Sequence, residues 1–137
     1  MVRKIMRKEK IVFLSSKNEN KITSIKELPK LDFVLTEKGE GYRIELDRLL
    51  AKHNIQIEPI IEFGNPETII NILNKGNFYS FLPYFCAKEK IKNNELYILQ
   101  TDTPQIYQYT QLYYHRNKWI NPQMEAFLAF TNDYFKN

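Results

Sequence analysis

The segment that most constrains the fold is IIEFGNPETIINILNKGNFYSFLP, Ile60 to Pro83. Two β-like runs, Ile57–Phe63 and Phe78–Leu82, bracket a stretch with the marks of a helix. Asn65 can cap, Pro66 suits the first helical position, and Glu67 favours the positive end of the helix dipole. Ile69, Ile70, Ile72 and Leu73 form a helical apolar stripe, and Gly76 reads as its C-cap. Strand, helix and strand in so short a span predict a βαβ unit with a parallel strand pair. In such units chemistry gathers at the helix N-terminus, here Gly64–Glu67.

The flanking sequence extends this pattern. Strands are expected at Lys10–Ser15, Phe33–Thr36, Glu95–Leu99 and Ile106–Tyr114. Pro59 confines the regular part of the Ile55–Phe63 strand to one side of itself. A helical turn is expected at Thr23–Leu28, and helices at Tyr42–His53, at Pro83–Ile91 and after Asn121-Pro122. On the Tyr42 helix, Tyr42, Leu46, Leu49 and Leu50 share one face, while Arg43, Glu45, Asp47 and Arg48 cover the rest. The alternation predicts an α/β fold: an open sheet with helices on both faces, residues 1–137 forming a single domain. The 43% hydrophobic and 26% charged content is that of a chain able to bury a core.

The residues exclude several function classes. Neither GxGxxG nor GxxxxGK[ST] occurs, which argues against phosphate-cradling loops. Cys86 is the single cysteine, so no intrachain disulfide can form; it reads as a buried thiol inside a helix. His53 reads as a helix-terminal residue and His115 as part of a turn, and neither has ligand spacing to Cys86 or to a carboxylate. Glu37, Glu40, Glu62 and Glu67 sit near loop ends without a base to pair with. No metal, no cofactor and no enzyme activity is expected. No apolar run is long enough to span a bilayer, and a cytoplasmic location is expected. Net charge is +4, and Arg3, Lys4, Arg7, Lys8 and Lys10 crowd the first ten residues. A nucleic-acid contact is one reading of that cluster; a solvated, partly frayed chain start is the favoured one.

Four stretches in order carry a family resemblance: Gly41-Tyr42-Arg43 opening a helix, EFGNPETI from Glu62 to Ile69, KGNFYSFLP from Lys75 to Pro83, and EL-x-I-L from Glu95 to Leu99. With the closing YYHRNKWINPQMEAFL, the chain from Lys10 to Phe135 resembles the effector-binding domain of LysR-type transcriptional regulators. The resemblance implies a periplasmic-binding-protein-like lobe and a small metabolite or anion bound in a cleft. It further implies DNA binding only through a winged helix-turn-helix that this chain lacks. The chain is expected to hold the second lobe, the return strand and the C-terminal helix, with most of the first lobe missing.

Carried over by position, the ligand-facing residues are Gly39, Glu40, Gly41 and Tyr42 in the turn before the first long helix, and Tyr79, Ser80, Phe81 and Pro83 at the strand end. Phe78 and Tyr79 stand where the family usually has a small glycine and a slim aliphatic residue, which is expected to narrow the cleft. Met124, Phe127, Leu128 and Phe135 on the last helix would face water without the first lobe. Burying four such side chains is worth about 6–12 kcal/mol, so a homodimer through that helix is expected. The alternative is an oligomerisation or interaction module that has lost ligand binding; a third, a small α/β enzyme, is disfavoured by the missing acid–base pair.

Overall fold

A computed structural model describes the backbone of residues 2–114 and 122–136. The chain divides into two compact units, one of Lys10–Ile106 and one of Met1–Glu9 with Tyr107–Asn137.

In the larger unit, the second part of β1 (Val2–Ser15) pairs antiparallel with β4 (Tyr79–Pro83) on one side and β5 (Tyr97–Ile98) on the other. A parallel pair, β2 (Val34–Thr36) with β3 (Ile61–Phe63), lies beyond β4. A parallel bridge between Phe33 and Tyr79 joins the two groups, and the Tyr79 amide donates to the Asp32 carbonyl at 3.0 Å. The spatial order is therefore β3-β2-β4-β1-β5. The helices are α1 (Gly41–Ala51), α2 (Pro66–Leu73) and α3 (Tyr84–Lys92), with a 3-10 helix at Ile25–Lys30.

Both faces of this sheet are buried, and strand alternation sorts the core into two clusters. Ile11, Phe13, Phe33, Leu35, Tyr79 and Phe81 meet α1 and the 3-10 helix on one face. Val12, Leu14, Val34 and Leu82 meet α2 and α3 on the other. Phe13 anchors the first cluster, its ring centroid 4.7 Å from Phe81 and 6.2 Å from Phe33.

The βαβ reading holds in part. α2 does connect two parallel strands, with the Asn65 side chain accepting from the Glu67 amide at 2.8 Å. The two strands are not neighbours, however, because β2 lies between them. The reason is burial: all three β2 residues are buried and need cover on both faces, whereas β3 reads exposed, exposed, half-buried and suits an edge. Regular pairing in the Pro59 region is confined to Ile61–Phe63, on one side of the proline as expected. Gly76 is not a C-cap: α2 ends on Asn74 in right-handed conformation. A Cβ on Gly76 would lie 2.9 Å from the Phe78 ring, so the glycine makes room for that ring.

Two other local readings are corrected. Arg43, expected on the solvent side of α1, is buried on the same face as Leu46 and Leu50. α1 ends at Ala51, so His53 lies beyond it in a turn closed by Asn54 at φ 53°.

In the smaller unit, the first part of β1 pairs with β6 (Ile106–Tyr114). The basic start of the chain is thus a strand, not a frayed end. Arg7 pairs with Glu9 at 2.7 Å, and Lys8 Nζ lies 4.0 Å from the centroid of the Tyr107 ring. Helix α4 (Pro122–Lys136) completes the unit. On it Phe127, Phe130 and Tyr134 are exposed, Leu128 is half-buried, and the Phe130 and Tyr134 rings stack at 6.2 Å. The side chains of Met124 and Phe135, and all of His115, lie outside the described residues. Among the described residues no helix is long and apolar enough to cross a membrane.

Candidate ligand-binding site

Three strand-to-helix junctions lie at the C-terminal ends of parallel strands: β2 into α1, β3 into α2 and β4 into α3. In open α/β sheets this edge is where ligands bind, because helix N-termini present free amides and the positive end of their dipoles there. The N-cap positions are Glu40 for α1, Asn65 for α2 and Pro83 for α3. Only Asn65 caps its helix with its own side chain. Glu40 makes no cap bond and Pro83 has none to make, so the α1 and α3 termini keep amide donors for other partners.

The turn into α1 is built for close approach. Gly39 has φ 99°, a left-handed conformation that side chains resist, and no atom lies within 4 Å of a Cβ placed there. The Glu40 amide donates to the Glu37 carbonyl at 3.2 Å and closes the turn. Tyr42 is half-buried and packs against both core clusters. Burial raises its phenol pKa above the ordinary value, with further contributions from Cys86 and Glu40. The Cys86 contribution shows that Tyr42 on α1 lies within electrostatic reach of α3. Beside them Lys10 Nζ lies 4.8 Å from the centroid of the Tyr84 ring, a cation–π contact that holds a positive charge at the β4 end.

The eight positions singled out in the sequence fall into two groups. Gly39, Glu40, Gly41 and Tyr42 form one turn at this edge and are exposed or half-buried. Tyr79, Ser80, Phe81 and Pro83 are all buried in β4. The Ser80 hydroxyl donates to the Val34 carbonyl at 2.6 Å, and Phe81 is a core ring. Tyr79 sits at the opposite end of β4 and donates from its hydroxyl to Glu19 at 3.0 Å. Burial raises the Tyr79 pKa, and the Glu19 hydrogen bond adds to the rise. Phe78 folds back over Gly76 and packs against the second cluster, so neither bulky ring lies at the β4 C-terminal end. Sequence reasoning missed Lys10, Tyr84 and Cys86 at this edge. The signal was faint: each is a single residue on a separate element.

Comparison with known proteins gives the family and the fold. The family model described as "LysR substrate binding domain" matches residues 2–136. The chain belongs to this family, with the periplasmic-binding-protein-like α/β fold of its structural neighbours. The Bacillus subtilis "Uncharacterized HTH-type transcriptional regulator YwqM" is 31% identical over 116 residues, covering 82% of this chain and 38% of that regulator. The regulatory domain of Synechocystis CcmR, solved with 2-PG, superposes with a TM-score of 0.82 at 21% identity, covering 99% of this chain and 67% of that one. The effector-binding domain of QuiR, solved with shikimate, gives a TM-score of 0.72 at 17% identity, covering 98% of this chain and 65% of that one. The chain thus spans well under half of its full-length relative and about two thirds of the solved domains.

Proposed function

We propose that this chain is the ligand-sensing part of a LysR-type regulator, and that its larger unit binds a small anionic metabolite at the Gly39–Tyr42 turn. The observation that carries this reading is the α1 N-terminus. It opens with a left-handed glycine, no side-chain cap and open space, in a fold whose neighbours are solved with 2-PG and with shikimate. Lys10, held on Tyr84, supplies the positive charge at the same edge. Of the β4 residues, Pro83 sits at that edge, whereas Ser80 and Phe81 shape it from within. DNA contact belongs to a winged helix-turn-helix of the parent regulator, and the role is sensing in the cytoplasm, not catalysis.

Calorimetry with 2-PG and shikimate as probes tests this. Binding of either that weakens in Gly41→Pro supports the site, because proline at the first helical position removes one amide donor while suiting the helix. Absence of binding by both, or binding indifferent to that change, removes it.

A second reading has its own observation. Phe127, Phe130 and Tyr134 expose three aromatic rings on α4, which favours a homodimer formed through that helix. Light scattering decides: a monomer that Phe127→Asp leaves unchanged rules the dimer out.

A further inference from the structure

A cavity lies along α1, lined by none of the Gly39–Tyr42 residues, and does not depend on the reading above. It encloses about 420 Å³ between α1 and the segment leading into β3. That volume falls in the range of small-molecule sites. Its charged wall is built around Arg43, whose side chain is only 2% exposed.

A guanidinium so deeply buried calls for short, charge-assisted bonds, ordinarily about 2.7–2.9 Å long. Arg43 has one. Nη1 donates to the Thr36 carbonyl at 2.8 Å. Nε reaches Asp47 at a loose 3.3 Å, and Nη1 stands 3.7 Å from Glu62, beyond hydrogen-bond length. The described bonds run through Nε and Nη1, so Nη2 is the atom left for a ligand. A carboxylate entering the cavity would complete the fork that these partners leave half-filled.

The remaining lining narrows the ligand class. Lys38 adds a second cation, but Asp47, Glu58 and Glu62 outnumber the two positive groups. A simple anion would meet that excess as repulsion. Glu58 is exposed and enters none of the described ion pairs, so it is free to take a positive group. Leu50, Ile55 and Ile57 supply an apolar floor between the two kinds of charge. We propose that this cavity binds a zwitterion of the α-amino-acid type, its carboxylate on Arg43 and Lys38, its ammonium on Glu58, and its side chain on the apolar floor.

Three probes with one branched alkyl group isolate the charges: leucine, 4-methylpentanoate, which lacks the ammonium, and 3-methylbutylamine, which lacks the carboxylate. Calorimetry on the full chain is expected to show leucine binding, with each analogue roughly tenfold or more weaker. Arg43 is buried and its replacement risks the fold, so the deciding variant is Glu58→Gln at an exposed position. It is expected to weaken leucine binding while leaving 4-methylpentanoate no weaker, since the change also removes one carboxylate that repels that anion. No leucine binding at millimolar concentration overturns the proposal. So does an analogue that binds as tightly as leucine, or leucine binding that Glu58→Gln does not alter.

Discussion

The larger unit and helix α4 use apolar residues in opposite ways. In the larger unit every strand residue of β2 and β4 is buried, and two clusters fill the two faces of the sheet. On α4 the large rings at Phe127, Phe130 and Tyr134 are each more than half exposed. Apolar content alone does not make a core. In the sheet, alternation with a period of two sends successive residues to faces that are both covered. On a helix an apolar face buries only against a partner.

The contrast can be broken by mutation, and the largest effect belongs to the core. Leu82→Ala, at a fully buried position, is expected to cost about 2–5 kcal/mol in denaturant unfolding, whereas Phe130→Ala is expected to stay within about 0.5 kcal/mol. Equal losses would show that α4 is packed as tightly as the sheet. Next comes Gly76→Ala, which sets a Cβ against the Phe78 ring and is expected to cost about 1–3 kcal/mol. Adding Phe78→Leu should return much of that loss; if it does not, the ring is not the obstacle.

Asn65→Ala removes the side-chain bond to the Glu67 amide and is expected to cost about 1 kcal/mol. The same change at Glu40, which makes no cap bond, should cost much less. Matching effects would mean that the α1 and α2 termini do not differ as described.

The smallest effect is one of pH. The Tyr79 pKa is raised in the folded state by burial and by Glu19, so the native state holds that proton more tightly than the unfolded chain. Its contribution is fully present below the unfolded value near 10.0 and is lost as pH climbs through the folded one. Stability should therefore fall above that point, and Tyr79→Phe should flatten the decline. A Tyr79→Phe profile that overlays the parent over alkaline pH would discount the contribution.

Much of the fold was readable because its signals are local. Asn65-Pro66-Glu67 starts α2 by capping chemistry, Pro59 limits β3 to its last three residues, and the alternating aromatics of β6 give its bounds. Of the candidate site, the turn at Gly39–Tyr42 could be read as a turn, since glycines bracketing the start of a helix leave a mark in the chain itself. What failed was non-local. Arg43 looks like a surface residue until the Thr36 carbonyl, seven residues away, is placed beside it.

The sequence by itself determined the order of strands and helices, the α2 cap and the turn into α1, since each depends on residues within one turn of one another. Only the tertiary structure decided that β2 separates β3 from β4, that Gly76 serves the Phe78 ring, and that Ser80 and Phe81 face inward. Those outcomes follow from which faces could be covered at once, and burial is a property of the assembled sheet, with no local signature in the chain.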